Sequence, residues 1–104
     1  MKKEELEITE EKTPDGVRLI LKGQANSGTA GKLQELLQKA LDEGQKNIIL
    51  NMMRVVFLSS AGIRVILKTY QEVHRAGGKF GIEMPSQNVR NVLGQTALDE
   101  ILIK

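Results

Sequence analysis

The sequence predicts an α/β fold: one domain over residues 1–104, with a mixed central sheet of four to five strands packed against about four helices. Two observations predict it. Apolar residues switch repeatedly between short continuous runs and helical spacing, so helical segments separate successive strands. Those helices act as crossovers, and a crossover joins parallel neighbours in the middle of a sheet.

The elements follow in order. Residues 5–11 alternate weakly, and Pro14-Asp15-Gly16 supplies turn chemistry before a strand at Val17–Leu21 that Gly23 closes. These two segments read as an antiparallel pair. Ala30, Leu33, Leu36, Leu37, Ala40 and Leu41 then fall on one helical stripe, with Lys32, Glu35, Gln38 and Asp42 opposite. Asn26, Ser27 or Thr29 caps its start and Gly44 its end. Asn47–Leu50 is a continuous apolar run, as expected of a strand covered on both faces, and Val55–Leu58 is a second, with 51–54 as a loop between them. The next helix carries Ile63, Ile66, Leu67, Tyr70 and Val73 and ends at Gly77-Gly78. Lys79–Ile82 is a short strand. Pro85-Ser86 opens a helix with Val89, Val92 and Leu93, and Thr96 caps a last turn before Ile101-Leu102-Ile103. In such sheets the functional groups lie beyond the carboxyl ends of the strands, so the loops at 24–28, 51–54 and 59–62 should gather at one end.

Composition narrows the chemistry. The net charge is +2, from 15 basic and 13 acidic residues without a basic block, and Phe57, Phe80 and Tyr70 are the only aromatic side chains. That pattern argues against direct nucleic-acid binding. Cys is absent, which removes disulfides and thiolate zinc sites. The start, MKKEELEITEEK, puts acids where a signal peptide is apolar, and no run approaches the roughly 20 apolar residues of a membrane span. A cytoplasmic protein without membrane insertion is expected.

GQANSGTAGK resembles a phosphate-binding loop, but Asn26 stands where the first Gly belongs, and Leu33 follows Lys32 where Ser or Thr would hold magnesium. His74, the one imidazole, lies 14 residues beyond Ser60, about 20 Å along a continuous helix at 1.5 Å per residue. A nucleophile and its base need contact at roughly 3 Å. No paired carboxylates or ligand cluster suggest a catalytic site, a metal or a cofactor.

FLSSAGIR (57–64) remains. One serine suffices as a helix N-cap, because its oxygen accepts an orphan backbone N–H. A second, followed by Ala61 and Gly62, leaves a hydroxyl that a partner's active site can approach. A phosphate there carries roughly −1.5 to −2 charges, and a helix start tolerates an anion.

NIILNMMRVVFLSSAGIRVIL resembles the signature of the anti-sigma factor antagonists of the STAS domain superfamily: an apolar strand, Asp-Ser-Ser-Gly or Asp-Ser-Ala-Gly, then a helix opening on an aliphatic residue. LKGQANSGTAGKLQELLQKAL is similar to that family's strand, Gly and first helix, and GGKFGIEMPSQNVRNVLGQTALDEIL to its late strand and closing helices. The resemblance implies a STAS-like domain that is not an enzyme. It places the phosphorylated residue two before the glycine, at Ser60. It also implies the partners: an anti-sigma factor serine kinase, bound by the dephosphorylated antagonist so that sigma factor is released, and a metal-dependent serine phosphatase that resets the cycle.

Three positions depart from the family pattern. Asn26, Asn51 and Ser59 stand where acids are usual, leaving a neutral, hydrogen-bonding patch. The expected partner surface comprises Asn26, Ser27, Asn51, Ser59, Ala61 and Gly62, continued by Arg64, Val65 and Lys68 on the exposed side of the helix. Glu72 lies on that side too, and a solvated face is the plain reading for the charged three. The same fold also serves as a constitutive scaffold in stressosome-like or lipid-transport complexes, and the neutral patch suits that alternative.

Overall fold

The computed structural model describes residues 6–95 and Ile101. Four strands and three helices follow one another: β1 (Leu6–Lys12), β2 (Gly16–Ala25), α1 (Ala30–Asp42), β3 (Asn47–Leu58), α2 (Ser60–Arg75), β4 (Lys79–Glu83) and α3 (Gln87–Gln95). The sheet order is β1-β2-β3-β4, with β1 antiparallel to β2 and the other two pairings parallel. This is the predicted mixed sheet, at the lower strand count and with one helix fewer among the described residues. The Thr96 cap lies outside the described residues.

The hairpin forms because Thr13 and Gly16 exchange backbone hydrogen bonds around Pro14-Asp15. Val17, Leu19 and Leu21 of β2 and Ile48, Leu50 and Met52 of β3 then point to one side and are buried under the helices. Leu33 and Leu37 of α1, Ile66 and Val73 of α2, and Val89 and Leu93 of α3 complete the core. Gly44 takes φ +83° after α1, and the Gln45 N–H reaches back to the Ala40 carbonyl at 3.0 Å, which satisfies carbonyls that the helix end leaves open. Gly77, also at φ +83°, closes α2 the same way.

Three expectations are corrected. First, Gly23 does not end β2, which continues to Ala25. Glycine accepts the φ of +120° found there, so the strand bends without stopping. Second, 51–54 is not a loop: β3 runs unbroken for 12 residues beside the 10 of β2. Two register shifts absorb the difference, one between the Ile20–Asn51 and Lys22–Arg54 pairs, the other between Gly23–Val55 and Gln24–Phe57. Setting Met53 and Val56 aside leaves ten residues that alternate inward and outward without a break. These two are the bulge residues, and each repeats the residue before it, Met52 or Val55. Third, Val56 and Phe57, read as part of a strand covered on both faces, are exposed. Val56 bulges out, Phe57 lies on the sheet face away from the helices, and β4 ends opposite Asn51, short of both.

The buried arc of α2 is also rotated from the predicted stripe. Gly62, Val65, Ile66, Thr69 and Val73 are buried, while Ile63, Leu67 and Tyr70 flank them half-buried. The helix packs on α1 as well as on the sheet, and that second neighbour widens the arc toward Val65 and Thr69.

Candidate functional site

The β3–α2 junction assigns its two serines different work. Ser59 is the N-cap, extended at φ −91° and ψ 173°, and its Oγ accepts from the Gly62 N–H at 3.5 Å. Its own N–H donates to the Ala25 carbonyl at 2.9 Å, which ties the end of β3 to the end of β2. Ser60 is the first residue of α2, exposed, and its hydroxyl makes no hydrogen bond among the described residues.

Gly62 fixes how closely α2 approaches. A Cβ there would stand 2.8 Å from the Ala25 carbonyl oxygen and 2.9 Å from Leu58 Cδ1. Only a glycine lets the first turn of α2 sit on the ends of β2 and β3, and that contact brings the serines beside the β2–α1 loop.

Asn26 organises that loop. Its Oδ1 accepts from the N–H groups of Gly28 at 2.9 Å and Thr29 at 3.2 Å, and its Nδ2 donates to Gln24 Oε1 at 3.2 Å. Thr29 Oγ1 donates to the Gln24 carbonyl at 2.7 Å. Thr29 holds the N-cap position of α1 without a side-chain cap bond, so the amide of Asn26 anchors the turn instead. Ser27 is exposed at its tip. A carboxylate at 26 would serve as acceptor equally well; the amide leaves the loop uncharged and adds a donor.

The structure therefore brings together Asn26, Ser27, Ser59, Ser60 and Ala61. Arg64 and Lys68 are exposed one and two turns beyond Ser60 on the same face of α2. Neither α1 nor α2 has an acid in its first turn. Gly62 is interior. Val65, expected on the exposed face, is 8% exposed and belongs to the core, because α2 turns that side toward its neighbours.

Asn51 lies apart from this group. It sits within β3 between Ile20 and Glu83, separated from Ser59 by more than about 20 Å of strand at roughly 3.3 Å per residue. There its Nδ2 donates to Glu83 Oε2 at 2.9 Å, and Arg18 Nε donates to the same oxygen at 2.9 Å. The Glu83 carboxylate, above all by its charge, raises the Arg18 pKa further above its already high ordinary value. This trio joins β2, β3 and β4 on the outer sheet face.

Sequence reasoning missed a group of exposed apolar side chains, Met53, Val56, Phe57 and Met84. An apolar run gives no sign of the bulges that turn its members outward. A cavity of about 590 Å³ opens at the opposite end of the sheet, lined by Pro14, Tyr70, His74, Lys79 and Phe80 among others. No group of three or more His, Cys, Asp or Glu among the described residues could hold a metal, and no described helix is long and apolar enough to cross a membrane.

Comparison with known proteins places the arrangement. The chain is 28% identical over 87 residues to BtrV of Bordetella bronchiseptica, named as an anti-sigma factor antagonist, covering 84% of this chain and 75% of that one. The fold is similar to the anti-sigma factor antagonist SpoIIAA in its unphosphorylated form, with a TM-score of 0.82 at 22% identity over 93% of this chain and 86% of that one. An anti-sigma factor antagonist from Mycobacterium paratuberculosis gives 0.83 at 20% identity, covering 93% and 82%. The family model described as STAS domain matches residues 7–104, and with the four-stranded mixed sheet and its serine-headed second helix, this chain belongs to the STAS domain family.

Proposed function

We propose that this protein is an anti-sigma factor antagonist, a regulatory binding protein that captures a serine-kinase anti-sigma factor and so releases a sigma factor. Phosphorylation of Ser60 ends the capture, and a metal-dependent serine phosphatase restores it. The observation that carries this reading is the division of labour at the junction. Ser59 caps the helix, which leaves the Ser60 hydroxyl exposed and without structural duty.

The geometry supports such a switch in both states. A phosphate on Ser60 meets the positive end of α2, with no acid in the first turn and Arg64 four residues on. The fold therefore accepts the modification. The partner does not, because a doubly charged group enters a contact shaped for a neutral hydroxyl, where desolvation and bulk oppose it. In this reading Asn26, Ser27, Ser59, Ala61, Arg64 and Lys68 form the contact surface around Ser60. The neutral loop at Asn26 also suits a second reading, in which the domain is a constitutive scaffold subunit of a stressosome-like or lipid-transport complex.

Incubation with the source organism's kinase-type anti-sigma factors and ATP, read by intact mass, separates the two. One phosphate that Ser60→Ala abolishes and Ser59→Ala retains is expected. Stable capture into a larger assembly, with no phosphate from any of these kinases, would establish the scaffold instead.

A further inference from the structure

Four large apolar side chains remain exposed among the described residues: Met53 (49%), Val56 (58%), Phe57 (49%) and Met84 (56%). They cluster around the bulged half of β3. Asn51 links two of them, its Oδ1 accepting from the Met53 N–H at 3.2 Å and its Nδ2 approaching the Met84 sulfur at 3.8 Å. Phe57 stands opposite Gln24, and the Val56 carbonyl accepts from Asn88 Nδ2 at 2.7 Å. Large apolar side chains left exposed along one stretch of strand suit an interaction surface.

The occupant is not an added strand. Past the end of β4, the start of α3 already uses the edge of β3. Ser86 N–H donates to the Met52 carbonyl, Ser86 Oγ to that of Val55, and Asn88 to that of Val56. A partner must therefore engage side chains.

Charge narrows the partner further. Lys22 and Arg54 stand directly opposite each other, both exposed, a like-charge pairing that opposes sheet formation. Glu7 flanks Lys22 from β1, but β4 stops short of Arg54, which faces no acid across the sheet and forms no ion pair among the described residues. The same strands lead into the serine loop: Phe57 precedes Ser59 by two residues, and its register partner Gln24 precedes Asn26 by two.

We infer that this ledge is the second half of the docking surface for the kinase-type anti-sigma factor, which meets it with an apolar face carrying a carboxylate opposite Arg54. The inference rests on the function proposed above. Ser60 supplies the switched contact, and Met53, Val56, Phe57 and Met84 supply apolar contact that phosphorylation does not alter. None of the four fills the core, so their variants fold.

Binding of the full chain to the source organism's kinase-type anti-sigma factor, measured by calorimetry at two salt concentrations, tests it alongside Ser60→Asp. Phe57→Ser and Val56→Ser each weaken binding about tenfold or more, as an interface anchor does. Arg54→Glu weakens it most at low salt, with circular dichroism unchanged throughout. Loss of binding in Ser60→Asp with wild-type affinity in the three ledge variants overturns the ledge and leaves the function standing. No binding by the wild-type chain overturns both. A wild-type dimer in light scattering that Phe57→Ser dissociates, with kinase affinity unaffected, assigns the ledge to a second copy and overturns the inference.

Discussion

Ser59 and Ser60 are chemically identical neighbours, and backbone geometry alone separates them. Ser59→Ala removes a cap and should destabilise the fold by about 0.5–1 kcal/mol, toward the low end because its 3.5 Å bond is long. Urea unfolding checks this. Ser60→Asp should leave stability unchanged or raise it by about 0.3–1 kcal/mol, the value of an anion at a helix start, and added salt should erase the gain. Gly62→Ala tests packing instead. Its methyl meets the Ala25 carbonyl and Leu58, so a loss of about 1–3 kcal/mol is expected, with the serine loop displaced. That one serine of the pair caps the helix was legible in the sequence, because an N-cap depends on local spacing. The burial of Val65 was not. One helix read alone does not show how many neighbours press on it.

At the scale of the element, β3 holds both the success and the failure of sequence reading. Its start, Asn47–Leu50, was recognised as a strand, and Ile48 and Leu50 are buried there. Its second half was read as a separate strand behind a loop. Met53 and Val56 break the period of two, and no local signal marks a bulge of ordinary apolar residues. Deletion variants check the assignment. Removing one valine of the Val55-Val56 pair leaves an inward valine in place and should preserve a cooperative thermal transition. Removing Leu50 instead draws Asn51 toward the core and should abolish it, since an unpaired buried amide adds to the lost apolar burial.

Across the whole molecule the two sheet faces do different jobs. The helix-covered face carries stability: Leu50→Ala, at a position with no exposure, should cost about 2–5 kcal/mol by denaturant unfolding. The outer face contributes far less. Its Arg18–Glu83 pair is partly exposed, and Arg18→Met should shift the denaturation midpoint only slightly, less at high salt. The overall topology was legible because hairpin and crossover each impose a strand direction. The outer face was not, because its character depends on where β4 stops relative to β3. The face that contributes little to folding thus has its residues free for recognition.

That freedom extends to the gene. Met52-Met53 and Val55-Val56 are doubled residues in which one copy faces inward and the other hangs outside the ladder. A codon gained or lost in tandem at either place leaves behind the residue the interior already accepts. This strand gives a lineage two sites at which to change its length, and with it the shape it shows to a partner, without disturbing the core.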